Sequence, residues 1–98
     1  MNLNTSLSPD QARFALLLEK FRPEVQSLWD MQERSFKPES VEKYLSTCSP
    51  SEGIMVKFLL GVWGYDEEYD FNLFQAIRLL DSKSANIIKD WVNDPFRP

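Results

Sequence analysis

The chain has 98 residues, 43% of them hydrophobic and 13% aromatic, which suits one domain built round one core. Charged residues make up 27%, close to the globular average, and this excludes wholesale disorder. A net charge of −4, with eleven Lys and Arg scattered along the chain, does not supply the basic stripe with which nucleic-acid binders neutralise phosphates. It favours basic or neutral partner surfaces.

Residues 1–98 are read as a single helical domain. Met1-Asn2-Leu3-Asn4-Thr5-Ser6 has neither the basic start nor the apolar middle of a signal peptide, and residues 1–7 are expected to be flexible. Two helix starts follow the same recipe. Ser8-Pro9-Asp10-Gln11 and Ser49-Pro50-Ser51-Glu52 each offer a Ser cap, Pro at the first helical position and Gln or Glu at the third, the capping-box arrangement. The first helix is predicted over about 9–21, with Phe14, Leu17, Leu18 and Phe21 forming one apolar stripe. Pro23 breaks or kinks it at Arg22. The periodicity resumes through Val25, Leu28, Trp29 and Met31, so a helix is predicted over 23–34, either continuous with the first across a kink or separate.

Pro38 opens a helix over 38–47 that turns Val41, Tyr44 and Leu45 inward. The helix over 50–63 is apolar nearly all round, and a helix with so little polar face belongs at the centre of its neighbours. Gly61 allows a close approach there, and Gly64 is a natural stop. After the acidic connector 65–70, Asp70 is expected to cap a helix over 71–80 carrying Phe71, Phe74, Ile77 and Leu80. Asp81 caps the last, over 82–93, with Ala85, Ile88, Trp91 and Val92 inside. Residues 94–98 form a short tail. No segment shows sustained two-residue alternation, so no sheet is predicted. The expectation is an all-α fold, a compact single-domain bundle of five or six short helices with helix 50–63 central.

Recognisable catalytic parts are scarce. The chain contains no histidine, which removes the commonest general base and the commonest metal ligand. Cys48 is the single cysteine, which rules out an internal disulfide and a Cys–His pair and points to a reducing, cytoplasmic setting. It sits just ahead of a helix start but lacks a basic neighbour, so a structural thiol is expected. The glycines at 53, 61 and 64 make no phosphate-cradling loop. Asp66, Glu68, Asp70 and Asn72 alternate like the first calcium ligands of an EF-hand, yet Phe71 stands where that loop needs Gly and Ile77 where it needs a bidentate Glu. No catalytic residue, cofactor or metal is therefore expected. Lys57, alone among apolar neighbours, is expected to lay its stem on the surface with its charge in water. The stretch from Ile54 to Trp63 falls short of the roughly 20 apolar residues a membrane span needs.

The residues with material for docking are Tyr65, Asp66, Glu67, Glu68 and Tyr69 in the connector and Phe96 in the tail. Tyr65 and Tyr69 are amphipathic anchors among carboxylates. Phe96, between two prolines, must either fold back or reach another molecule. Trp29, Trp63 and Trp91 lie on apolar stripes and are read as core. The expected function is protein–protein interaction, as an adaptor, inhibitor or regulatory subunit, with a basic protein partner or by homodimeric self-association. A nucleic-acid regulator of helix-turn-helix type, built from the last two helices, is the alternative. An enzyme relying on carboxylates alone ranks third.

Overall fold

Both Ser-Pro starts are realised as capping boxes in the computed structural model, which describes residues 7–64 and 68–98. In α1 (Pro9–Leu18) the Ser8 hydroxyl accepts from the Gln11 backbone at 3.1 Å while the Gln11 side chain accepts from the Ser8 N–H at 2.9 Å. In α4 (Pro50–Trp63) Ser49 and Glu52 repeat the exchange at 3.3 and 2.9 Å. Each box satisfies two backbone donors that a bare helix start leaves open.

Pro23 separates two helices. α1 ends at Leu18, three residues short of Phe21, and its last turn tightens through bonds from the Lys20 and Phe21 N–H groups to the Leu17 and Leu18 carbonyls. Arg22 is extended at ψ 154°, the conformation imposed by the following proline. α2 is a single turn, Pro23–Gln26, anchored by the Gln26 amide donating to the Phe21 carbonyl at 2.9 Å.

The largest departure from the sequence expectation comes next. Residues 28–36 form a hairpin, not the second half of a helix. Strands β1 (Trp29–Asp30) and β2 (Ser35–Phe36) pair antiparallel, with Trp29 opposite Phe36 and Asp30 opposite Ser35. The cause is local: the Asp30 carboxylate accepts from the Glu33 N–H at 3.1 Å, a short-range bond with which Asp draws the backbone out of a helix. Arg34 then takes a left-handed conformation at φ 54° and closes the turn. This small sheet adds Trp29 to the core, and the fold remains largely all-α. A helix, α3 (Pro38–Thr47), follows with Val41 fully buried.

Helix α4 is central. Gly53, Ile54, Met55, Val56, Phe58, Leu59, Leu60 and Val62 are all buried, and α3 and α5 pack against it. Lys57 is half-buried. Close approach occurs at Gly53, where a Cβ would lie 3.3 Å from Cys48 Sγ, so the end of α3 rests directly on α4. Burial, then the Glu52 carboxylate, push the half-buried Cys48 thiol above its usual pKa, as suits a structural thiol. Gly64 ends α4 at φ 108°, a left-handed cap.

Two aromatic groups flank α4. Phe14, completely buried, lies 5.4 Å from Trp29 and 4.7 Å from Trp63, ring centre to ring centre, and Trp29 also meets Phe36. On the other group, Phe58 contacts Phe71 and Trp91, each at 5.9 Å. The Trp29 indole N–H finds no acceptor among the described residues. Two helices complete the chain. α5 (Leu73–Leu79) is shorter than expected and is capped by Asn72, whose side chain accepts from the Gln75 N–H at 3.0 Å, so Asp70 is not its cap. α6 (Ser82–Asn93) is capped by Asp81, which accepts from the Ser84 N–H at 2.8 Å. Ile88 is its buried residue, with Ile87 and Trp91 half-buried, and Val92 faces outward, contrary to its expected inner position. Among the described residues no helix is long and apolar enough to cross a membrane.

Candidate functional site

The sequence-derived docking residues meet different fates. Tyr65, Asp66 and Glu67, like residues 1–6 of the N-terminal segment, lie outside the described residues. Glu68 is exposed. Tyr69 is half-buried against the hairpin, its ring edge-on to Phe36 at 6.2 Å. Burial, followed by Glu42 and Glu68, raises its phenol above the usual pKa. Tyr69 therefore serves as a tie between connector and hairpin.

Phe96 folds back onto its own chain. It is 9% exposed, lies 6.5 Å from Trp91 and carries the Arg13 guanidinium 4.6 Å above its ring. The Trp91 indole N–H donates to the Phe96 carbonyl at 3.1 Å, and Arg13 binds both the carbonyl and the carboxylate of Asp94 at 3.0 Å. The Arg97 N–H adds a bond to Asp10 at 3.3 Å. Four polar contacts thus latch the tail to α1 and α6, and they withdraw Phe96 from docking in this conformation.

An apolar surface appears instead on α5. Phe74 is 76% exposed and Ile77 67%, with Leu73 and Leu79 at 48%. Of the four apolar residues expected on this helix, Phe71, Phe74, Ile77 and Leu80, the two middle ones are therefore turned out. Phe71 and Leu80, its outer members, fall beyond the ends of the helix and are half-buried there. Ala76 makes the inward contact of α5 at 1% exposure. The missed signal is the alanine: at about 100° per residue it points about 160° away from Phe74 and about 100° from Ile77, and a small residue lets a short helix sit close to α4.

A cleft of about 410 Å³ opens beside this face, where the end of α1, the starts of α4 and α6, and the end of α5 converge. Val25, Met55, Leu80 and Ile87 give it apolar walls, and Lys20, Arg22 and Lys83 stand round it. Arg22 pairs with Glu52 at 2.8 Å. Hydrogen bonds from the backbone and side chain of Ser49 hold Glu52 below the ordinary carboxylate range, and those from Ser84 do the same to Asp81. Both cleft carboxylates are thus occupied in capping helices. Among the described residues neither Lys20 nor Lys83 closes an ion pair, and no group of three acidic or thiol side chains is placed to hold a metal ion. Comparison with known proteins finds no match to this chain among protein-family models, curated proteins or solved structures.

Proposed function

We propose that this protein acts by binding another protein, and that α5 is the helix it presents. The observation that carries this reading is the outward turn of Leu73, Phe74, Ile77 and Leu79 on one seven-residue helix. Single exposed apolar residues are ordinary, whereas a cluster on one element marks an interface. Covering a Leu, Ile or Phe side chain contributes about 1.5–3 kcal/mol when complete. The exposed parts of these four side chains add up to between two and three whole ones, or about 4–7 kcal/mol of gross driving force. Phe74 and Ile77, three residues apart, form the anchor pair of a helix laid in a partner's groove.

Binding is favoured over catalysis by the state of the cleft. A carboxylate general acid needs a raised pKa, and Glu52 and Asp81 are both lowered. The charge of the last helix does not favour the helix-turn-helix alternative, since its two lysines, Lys83 and Lys89, are offset by Asp90 within it and Asp94 at its end.

The test is a Phe74→Asp, Ile77→Asp double variant used as bait in the native host beside the unaltered protein. The variant is expected to keep its helical circular dichroism and lose the specific partner. An identical set of captured proteins from both baits would reject α5 as the docking helix.

A further inference from the structure

We infer that residues 94–98 form a strap that lifts separately from the core, that Arg13 is its latch, and that lifting opens an apolar groove between α1 and α6. This stands apart from the reading of α5, with which it shares no residue.

The strap is held at its rim and hardly at all through its backbone. Beyond Asn93, where α6 ends, it adds no helix or strand, and Pro95 and Pro98 bring no N–H with which to bond. Phe96 is its buried side chain, whereas Asp94, Pro95 and Arg97 are exposed. Arg13 grips it at three points, the Asp94 carbonyl, the Asp94 carboxylate and the Phe96 ring. Two further ties run from the Trp91 indole N–H to the Phe96 carbonyl and from the Arg97 N–H to Asp10. Few buried apolar groups and solvent-exposed hydrogen bonds mark a unit that opens locally, ahead of the core. The other side of Trp91 is built differently, for there its ring stands edge-on to buried Phe58 in α4.

Leu17, Ile87 and Trp91 line one groove with Phe96, and Leu16 beside them is already 62% exposed. Lifting the strap takes the Phe96 ring out of this groove and turns it toward solvent. Closed and lifted are therefore two discrete states. In one the groove holds the chain's own phenylalanine, in the other it stands open, and Arg13 sets the balance between them. Its guanidinium counts twice, as the charged donor to Asp94 and as the cation over the ring.

Hydrogen exchange followed by NMR in the full chain is the test. The Trp91 indole N–H and the Arg97 amide report on the strap, and the amides of Val56, Leu59 and Leu60 report on α4. Relative to their unprotected rates, the strap protons are expected to exchange at least about a hundredfold faster than those of α4. Urea below its unfolding range should leave the strap rates unchanged, because lifting exposes little surface. Arg13→Ala is expected to speed the strap protons about tenfold, through the loss of charge-assisted bonds, and the α4 amides less than about twofold. Arg13→Lys, which keeps the charge without the fork, should fall between. Asp94→Ala removes a side chain that is 78% exposed, so the variant folds, and it should speed the strap protons alone by a smaller factor. Strap and α4 protons that exchange together, with one urea dependence, would make the strap part of the core and overturn the proposal. So would Arg13→Ala speeding both sets alike, or leaving the Trp91 indole as it was. An indole N–H with no protection in the unaltered protein overturns it too, since the strap would then not be closed.

Discussion

Helices α4 and α5 are both apolar, yet one is swallowed by the protein and the other lies on its surface. From Ile54 to Trp63, α4 meets neighbours on nearly every side, and seven of those ten residues are buried. In α5, Leu-Phe-Gln-Ala-Ile-Arg-Leu, Ala76 is the buried residue. Length separates them first. Fourteen residues span about 21 Å and seven about 10 Å, so α4 runs the depth of a small domain while α5 touches it in one place. The position of the small residue separates them second: Ala76 is the residue that α5 buries, Leu73 and Leu79 flank it, and Phe74 and Ile77 point away. Apolar composition thus records that a surface is to be covered, and its arrangement on the helix decides whether the same chain covers it.

The sharpest way to break this contrast is to truncate one phenylalanine from each region. Phe14 is fully buried between Trp29 and Trp63, so Phe14→Ala is expected to cost about 3–5 kcal/mol through lost burial and the cavity left behind. At about 4–8 °C per kcal/mol for a domain of this size, the melting temperature falls by well over 10 °C by that same conversion. Calorimetry or a thermal melt followed by circular dichroism decides it. A loss under about 1 kcal/mol would mean that the aromatic group beside α4 is not the core of the fold.

What the sequence made legible follows the same division. The two Ser-Pro caps, the stop at Gly64 and the central place of α4 were readable because each rests on chemistry confined to a few neighbouring residues. The hairpin was not, because Met31-Gln32-Glu33-Arg34 contains good helix formers and the deciding bond runs from the Glu33 N–H to Asp30. The periodic match at Val25, Leu28 and Trp29 was real, since all three are buried, but they reach the core from a turn and a strand. For the candidate site, Phe74 and Ile77 share a three-residue spacing with Phe71 and Leu80, but α5 spans only Leu73–Leu79 and buries Ala76, so the face they lie on is the one left outside. The fate of Phe96 depended on Arg13, some eighty residues away in the chain, beyond any local pattern.

The ends of α4 offer predictions of intermediate size. Ser49→Ala removes the hydroxyl that accepts from the Glu52 N–H and is expected to cost about 1 kcal/mol. The effect depends on pH with a definite sign. The Ser49 hydrogen bonds hold Glu52 low in the folded state, and a depressed carboxylate contributes stability that is present above its unfolded pKa and lost as pH falls through the folded one. The gap in melting temperature between the two proteins should therefore narrow on acidification from about pH 6 to about pH 3, across the carboxylate range. A constant gap would mean that Glu52 takes no part in the box. Gly64→Ala is also expected to cost about 1 kcal/mol from its positive φ, and from backbone strain alone, since a Cβ there meets nothing within 4 Å. A loss that chemical denaturation puts at zero would show that α4 can end in another conformation.

The smallest expected effect tests the contrast most directly. Phe74→Ser and Ile77→Ser, at 76% and 67% exposure, remove little surface that the fold has withdrawn from water, so each should change stability by no more than about 0.5 kcal/mol. The helix itself should persist, because its Asn72 cap and its Ala76 contact are untouched. Solubility should rise or stay level as apolar surface is lost. A destabilisation by either variant close to that of Phe14→Ala would mean that α5 turns these side chains inward in solution, and α4 and α5 would then be two examples of one kind of helix. Near-silence in the melt leaves Phe74 and Ile77 as large side chains that folding does not need, which is the condition for assigning them to a partner.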